Sequence, residues 1–230
     1  MSAMRCPGQD SRFMKPQDVA EAECPECGHM VEFWPDEPVR RCRQCNRPVV
    51  NPGHDMKCLE WCDHASECLS AIRSSDTLGA LREEMGRRMA EVFGDDADKI
   101  EHTLSVLGLA EEIGRREDAD PMVLIPAAIL HDLGRSVPDA GEETDRIGRR
   151  LAEEALEGLP LPGAIREEIL DLVEHHHDRE FMQRPNGAPL YDADLVVNLA
   201  GRDKADQREA LEREALTDTG LRLGRRRLGL

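Results

Sequence analysis

The sequence has few aromatic residues, no long apolar run and no cysteine beyond residue 68. Its 230 residues include only four Phe, two Trp and one Tyr. So small an aromatic content argues against a sheet-rich fold and against a stacking platform for single-stranded nucleic acid. The core must therefore be built from aliphatic side chains, and we expect a mostly α-helical protein.

The longest apolar run, Met122–Leu130, has nine residues and contains Pro126. A bilayer span needs about 20 apolar residues, so we predict no transmembrane helix. The first residues, MSAMRCPGQDSR, lack the apolar segment of a secretory signal, and we expect a cytoplasmic protein. Because thiols stay reduced in that compartment, cysteine spacing is interpreted first as metal-ligand spacing.

Acidic residues outnumber basic ones by 47 to 30, which gives a net charge of −17. This charge disfavours bulk binding of nucleic acid, but it is compatible with a small phosphorylated molecule in a locally positive pocket. Residues 221–230, LRLGRRRLGL, are basic. We interpret them as a frayed C-terminus or as a patch that offsets the acidic body, rather than as a site for an anionic partner.

The distribution of cysteine divides the chain. All eight cysteines fall within the first 68 residues, in a segment rich in proline and turn residues. We predict a Cys-rich domain over residues 1–72 that needs metal to fold, a helical domain over 73–220 and a basic tail over 221–230. Apolar residues at spacings of three and four predict helices from about residue 76 to 93 and at about 98–116, 121–133, 143–157, 163–176, from 191, and at 203–216.

Two C-x-x-C motifs, Cys24/Cys27 and Cys42/Cys45, are separated by fourteen residues. Gly28 and Asn46 follow the second cysteine of each motif, where the chain is expected to take positive φ. Four thiolates in a tetrahedron suit a structural Zn²⁺, and a redox pair is the alternative. Residues 24–50 resemble a zinc ribbon with short strands at 29–34 and 48–50. The Cys-rich domain could bind either a protein partner or a second copy of the chain.

The remaining cysteines form a second candidate group, Cys58, Cys62 and Cys68, which Cys6 could complete. Its occupant is a second zinc or an iron–sulfur cluster, with His64 as an alternative zinc ligand, unless the thiols are merely buried. A cluster here would make the group a redox sensor.

Histidine and aspartate form the third candidate group. His131 and Asp132 follow a strongly apolar helix, and an adjacent imidazole and carboxylate at such a place are costly unless they are paired or ligating. His102 shares a helix row with apolar residues, and Asp194 opens a helix with core-like residues. Two imidazoles and two carboxylates suit Mn²⁺, Fe²⁺, Co²⁺ or Zn²⁺.

The pattern H…HD…D resembles the HD-domain superfamily of metal-dependent phosphohydrolases, with His102, His131, Asp132 and Asp194 in order and LHDLGR close to the family's LHDIGK. The resemblance covers residues 98–200. It implies an all-helical bundle in which a metal-activated water hydrolyses a phosphoester of a nucleotide or a small phosphorylated metabolite. Asp192 competes with Asp194 for the last position, and the family's ADxL pattern favours Asp194.

The resemblance also implies roles for neighbouring residues. Asp132 would accept a proton from the water, Arg135 would hold the phosphate, and His176 would bind a phosphate oxygen or act as general acid. Residues 175–177 otherwise form a solvated helix end. Binuclear members carry a further histidine where this chain has Thr144, which argues against a second metal. The alternative function is a non-catalytic regulatory or protein-binding module with a degenerate metal site.

Overall fold

The computed structural model describes residues 19–34, 37, 39–53, 76–139, 141–159 and 161–230. The predicted second cysteine group (Cys6, Cys58, Cys62 and Cys68) and His64 lie outside these residues, so their ligand stays a prediction. Among the described helices, none combines the length and the apolar character that a membrane crossing requires.

The described residues divide into two compact units. One comprises the residues up to Glu84 together with Glu157–Gly163, and the other comprises Met85–Leu156 and Ala164–Leu230. The predicted boundary after residue 72 falls outside the described residues and stays a prediction. The predicted fold class, mostly helical with a small Cys-rich strand region before the helices, is confirmed.

Two antiparallel hairpins form the strand region. Strand β1 (Ala20–Glu23) pairs with β2 (Met30–Phe33), and β3 (Val39–Arg41) pairs with β4 (Pro48–Val50). Each hairpin turns through one of the C-x-x-C motifs. Their inward side chains make one small cluster of Val31, Phe33 and Val49 with Cys24 and Cys42. So small a core is consistent with a fold that depends on a metal ion.

The sequence predicted strands near β2 and β4 and missed β1 and β3. Strand β1 reads Ala-Glu-Ala-Glu, which alternates correctly but is made of strong helix formers. Strand β3, Val-Arg-Arg, is too short to show a period. Both strands form because the C-x-x-C turns bring them beside a stronger partner.

The structure has eight α-helices among its described residues. They are α1 (Asp76–Phe93), α2 (Ala97–Gly114), α3 (Pro121–Leu130), α4 (Thr144–Leu156), α5 (Gly163–His175), α6 (Gly187–Leu199), α7 (Lys204–Glu214) and α8 (Asp218–Leu228). Helix α2 packs against both α3 and α6, and α6 also contacts α7 and α8. The packing of α2, α3 and α6 positions the candidate site.

Helix α3 begins with Pro121 in its first turn, and the Asp120 side chain accepts a hydrogen bond from the backbone N–H of Met122. Every residue from Met122 to Leu130 is buried, as expected for a helix that is apolar on all sides. The helix passes through Pro126 and ends at Leu130, three residues before the predicted end. A 3₁₀ helix, Leu133–Ser136, follows.

Helix α6 begins at Gly187, four residues before the predicted start at Tyr191. The turn residues of the segment Asn-Gly-Ala-Pro predict a loop there, but the structure includes Gly187, Ala188 and Pro189 in the helix. Pro189 lies in the first turn of α6, where a missing N–H has no intrahelical partner to lose.

The predicted basic tail at 221–230 is instead most of a packed helix. In α8 the residues Gly224 and Leu228 are buried, and Gly229 ends the helix with a φ of 66°. A Cβ atom on Gly224 would come within 2.8 Å of both Leu211 and Val196. Glycine therefore lets α8 approach α6 and α7 closely, and the expectation of a frayed end is wrong.

Candidate functional site

The four ribbon cysteines come together as predicted. Cys24 Sγ lies 3.5 Å from Cys45 Sγ, and Cys27 Sγ lies 3.6 Å from Cys42 Sγ. All four are free thiols, and their sulfur atoms lie within 4.8 Å of one another. Zinc–sulfur bonds of about 2.3 Å in a tetrahedron require sulfur atoms about 3.8 Å apart, so the group fits Zn²⁺.

The backbone of both C-x-x-C motifs has the predicted form. Gly28 has a φ of 71° and Asn46 has a φ of 62°. The N–H of Gly28 donates to the carbonyl of Cys24, and the N–H of Asn46 donates to that of Cys42, each at 2.9 Å. These turns direct each pair of thiols to one point.

The four residues of the H…HD…D pattern meet within the helical unit. Nε2 of His102 on α2 lies 3.1 Å from Oδ1 of Asp194 on α6 and 3.4 Å from Oδ2 of Asp132. Nε2 of His131 lies 3.6 Å from the same Asp132 oxygen and 3.7 Å from the same Asp194 oxygen. The packing of α2, α3 and α6 thus brings two imidazoles and two carboxylates together.

Glycine sets the path of the chain after the HD pair. A Cβ atom on Gly134 would come 2.1 Å from the carbonyl oxygen of Thr144. The absence of a side chain lets the 3₁₀ helix pack directly on the start of α4. The Thr144 hydroxyl itself donates to the carbonyl of Gly141 at 2.8 Å.

The imidazoles of His131 and His176 share one arrangement. Nδ1 of His131 lies 2.9 Å from the carbonyl of Ala128, and Nδ1 of His176 lies 2.6 Å from the carbonyl of Val173. A carbonyl accepts, so each ring carries its proton on Nδ1. Both Nε2 atoms are buried and have no hydrogen-bond partner within the part of the chain that the structure describes. Each lies beside a carboxylate, an arrangement that a metal ion between the two groups, or a proton on Nε2, would stabilise.

The carboxylates are strongly ionised. Burial works against the charge of Asp132, but His131, His176 and Arg135 outweigh it and lower its pKa to about 2. Burial likewise opposes the charge of Asp194, and its hydrogen bond with His102 together with the nearby imidazole of His131 holds its pKa far below the usual range. Burial also opposes protonation of His131, yet the same two carboxylates raise its pKa. The site is built to hold positive charge.

Both carboxylate oxygens of Asp132 lie near nitrogen atoms of other side chains. Oδ2 faces His102 and His131, while Oδ1 lies 3.0 Å from Nε of Arg135 and 3.6 Å from Nε2 of His176. The Arg135 side chain is 42% exposed, so its guanidinium bridges the buried carboxylate and solvent.

A second group of ligand atoms shares Asp132. One atom each from Asp132, His176 and His177 lie within 4.8 Å of one another. His176 is buried rather than solvated, whereas the His177 side chain is 46% exposed. The predicted solvated helix end therefore holds only for His177.

Asp145 is a residue that sequence reasoning missed. Its Oδ1 lies 3.3 Å from Nδ1 of His177. It directly follows Thr144 in the first turn of α4, next to the position where a histidine was expected. The carboxylate next to the expected histidine position is the feature of the sequence that could have indicated a role for Asp145.

Asp192, the competing candidate, points elsewhere. Its carboxylate accepts hydrogen bonds from the backbone N–H groups of Leu216 and Thr217 at 2.7 and 2.9 Å. The structure therefore places Asp194, not Asp192, beside His102.

Comparison with known proteins agrees with this geometry. The family model of the HD domain matches residues 100–211, a range that includes His102, His131, Asp132 and Asp194. Neither a curated protein nor a solved structure matches the chain. The resemblance to the HD domain is confirmed for this range, and the four-cysteine cluster precedes it, consistent with a zinc-ribbon-like module.

Proposed function

We propose that the HD domain of this chain is a metal-dependent phosphohydrolase acting on a nucleotide or a small phosphorylated metabolite. One observation carries the proposal: the buried Nε2 atom of His131 has no hydrogen-bond partner among the described residues and lies beside the carboxylates of Asp132 and Asp194. A metal ion bound by the imidazole and both carboxylates would stabilise this arrangement in place of a proton on Nε2.

The four converging residues would hold a divalent ion, Mn²⁺, Fe²⁺, Co²⁺ or Zn²⁺, since imidazole and carboxylate ligands suit these metals. Such an ion supplies an electrophile for a phosphoryl group and lowers the pKa of nearby water. HD domains bind divalent metals, and the donor set of His102, His131 and Asp132 fits one.

Asp132 would serve the reaction in two ways. With a pKa of about 2 it is ionised at neutral pH, so its oxygens would bind a cation. As a carboxylate beside the bound water it would also accept the proton of that water, although its low pKa makes it a weak base. Its bond to Nε of Arg135 orients that guanidinium. The other nitrogens of Arg135 would then contact phosphate oxygens in a bidentate manner.

For His176 the geometry favours a ligand role over the general-acid role considered from the sequence. Its Nε2 atom is buried, so it does not reach a leaving group in solvent contact, and it lies 3.6 Å from Asp132. We assign His176, together with Asp132 and His177, to a second cation position.

The ribbon would hold a structural Zn²⁺ without taking part in catalysis, because four thiolates leave no open coordination position. The substrate would be small, since the net charge of −17 repels a long polyanion.

The test is phosphate release from a panel of nucleotides and sugar phosphates by the purified full chain, with and without added Mn²⁺. His131→Ala and Asp132→Asn are expected to abolish metal-dependent release, and Asp98→Asn, a change at an exposed carboxylate in α2, is the control with the same chemistry. A protein that retains an ion at the helical site yet cleaves no member of the panel would instead be a non-catalytic regulatory module.

A further inference from the structure

A completely buried carboxylate joins the C-terminal segment to helix α6. The side chain of Asp192 has no exposed surface. It accepts hydrogen bonds from the N–H of Leu216 at 2.7 Å, the N–H of Thr217 at 2.9 Å and the hydroxyl of Thr217 at 2.7 Å. Three donors offset part of the cost of burying this charge, although burial still raises the pKa of Asp192, and they make the contact specific in geometry.

The segment 216–220, which we call the clamp turn, is shaped around that carboxylate. The Thr217 hydroxyl donates to Asp192 and accepts from the N–H of Gly220 at 2.8 Å, which caps α8. A Cβ atom on Gly220 would lie 2.1 Å from Oδ2 of Asp192. Glycine is therefore required for α8 to begin so close to the carboxylate.

Asp192 and Asp194 lie on opposite faces of the same helix. Two residues of an α-helix correspond to a rotation of about 200°, so one carboxylate faces the clamp turn while the other faces His102. Helix α6 is thus held between the clamp turn on one side and α2 on the other. A displacement of α6 from the clamp turn that α2 did not follow would change the distance from Asp194 to His102.

We propose that the clamp turn positions Asp194 for metal binding. The match to the HD domain ends at residue 211, and Thr217 and Gly220 lie beyond it. The clamp turn is therefore a feature of this chain outside the matched range. The inference rests on the proposed function only in that Asp194 is taken as a cation ligand. Asp192, Thr217 and Gly220 act as positioning residues and touch neither the cation nor the substrate.

The experiment measures Mn²⁺ binding to the full chain by electron paramagnetic resonance of the free ion. One equivalent of Zn²⁺ is first bound at the four thiolates of the ribbon and all other Zn²⁺ is removed, because Zn²⁺ would also occupy the helical site. Mn²⁺ prefers oxygen and nitrogen ligands, so the thiolates do not compete for it. Thr217→Val removes the hydroxyl group and Thr217→Ser retains it. Gly220→Ala adds a Cβ atom that clashes with the Asp192 carboxylate. Gly86→Ala in α1 is the matched control, because nothing lies within 4 Å of its added Cβ.

We expect Thr217→Val and Gly220→Ala to weaken Mn²⁺ binding about tenfold, the lower end of the usual effect of outer-sphere changes. Thr217→Ser and Gly86→Ala should bind like the unchanged chain. All measurements are made below the thermal transition of each variant, determined by circular dichroism, so that a loss of folding does not contribute. Where turnover occurs, kcat should fall in Thr217→Val with little change in KM.

Unchanged Mn²⁺ affinity in folded Thr217→Val would overturn the inference. The absence of cooperative unfolding in Thr217→Val would also overturn it, because the clamp turn would then stabilise the whole fold rather than position Asp194. Binding needs no turnover, which separates the two proposals. If the unchanged chain cleaves no phosphoester but Thr217→Val still binds Mn²⁺ more weakly, the proposed function fails and the positioning role stands.

Discussion

Nε2 of His102 lies 3.1 Å from Oδ1 of Asp194, although 92 positions separate the two residues in the sequence. The contact exists because α2 packs along α6. His102 and Asp194 lie on facing helices that lead to the end of α3, where His131 and Asp132 emerge. The site therefore depends on the packing of three helices rather than on any local motif.

Arg135 should contribute to substrate binding. We expect Arg135→Gln to raise KM about 10- to 100-fold with a smaller change in kcat, since a hydrogen bond to a charged group contributes roughly 1.5 to 3 kcal/mol. Steady-state kinetics on the best substrate of the panel measures this. Arg150→Gln, at an exposed position of α4, makes the same change of charge and should be silent. Equal effects of the two variants would point to a general field effect.

His176 should determine how many ions the helical unit holds. Because two groups of ligand atoms share Asp132, we expect two Mn²⁺ ions per chain at saturation and one in His176→Gln. Metal analysis after gel filtration in Mn²⁺ counts them. His175→Gln is the neighbouring control, since the ring of His175 packs on Phe181 and belongs to neither group. One ion in both the unchanged chain and His176→Gln would contradict the second position.

The metal-free helical unit should lose stability as pH rises above neutrality. The pKa of His131 is raised in the folded state, so its contribution is complete below the unfolded value of about 6.5 and is lost as pH rises through the folded pKa. Urea unfolding between pH 6 and 9 measures this decline. Saturating Mn²⁺, which replaces the proton, should remove it, and so should His131→Gln. A flat profile without metal would contradict the assignment of this charge to His131.

Removal of zinc should unfold the ribbon. Its hairpins bury little beyond Val31, Phe33 and Val49, so we expect the amides of β1–β4 to lose protection from hydrogen exchange when Zn²⁺ is chelated. Cys42→Ser should lower the zinc content by about one ion per chain. Arg43→Ser, an exposed change beside it, should leave zinc content and protection intact. Protected hairpins in the zinc-free protein would show that their small core suffices.

The sequence alone was enough to predict the features that depend on neighbouring residues. The spacing of Cys24, Cys27, Cys42 and Cys45 predicted their convergence, and Gly28 and Asn46 have the positive φ that each turn needs. The apolar run before His131 predicted a buried helix that ends at the HD pair. Such features follow from helical period, turn geometry and ligand chemistry, all of which are local.

Other features came only from tertiary packing. In the segment 221–230 the only apolar side chains are leucines, and three of the four residues that α8 buries are Thr219, Gly220 and Gly224. Glycine in a sequence predicts a break rather than close packing. In the same way, the burial of His176 and the approach of Asp145 to His177 depend on how α4 and α5 are placed, which no local pattern records.

Residue types and their spacing determined that this chain would carry four clustered thiols and an H…HD…D set on helices. The family's ADxL pattern favoured Asp194 over Asp192, but only the tertiary structure decided what each carboxylate contacts, since both are buried in α6. The physical reason is that a helix offers its side chains to all directions, and only the neighbours it packs against determine which carboxylate meets His102 and which meets Thr217.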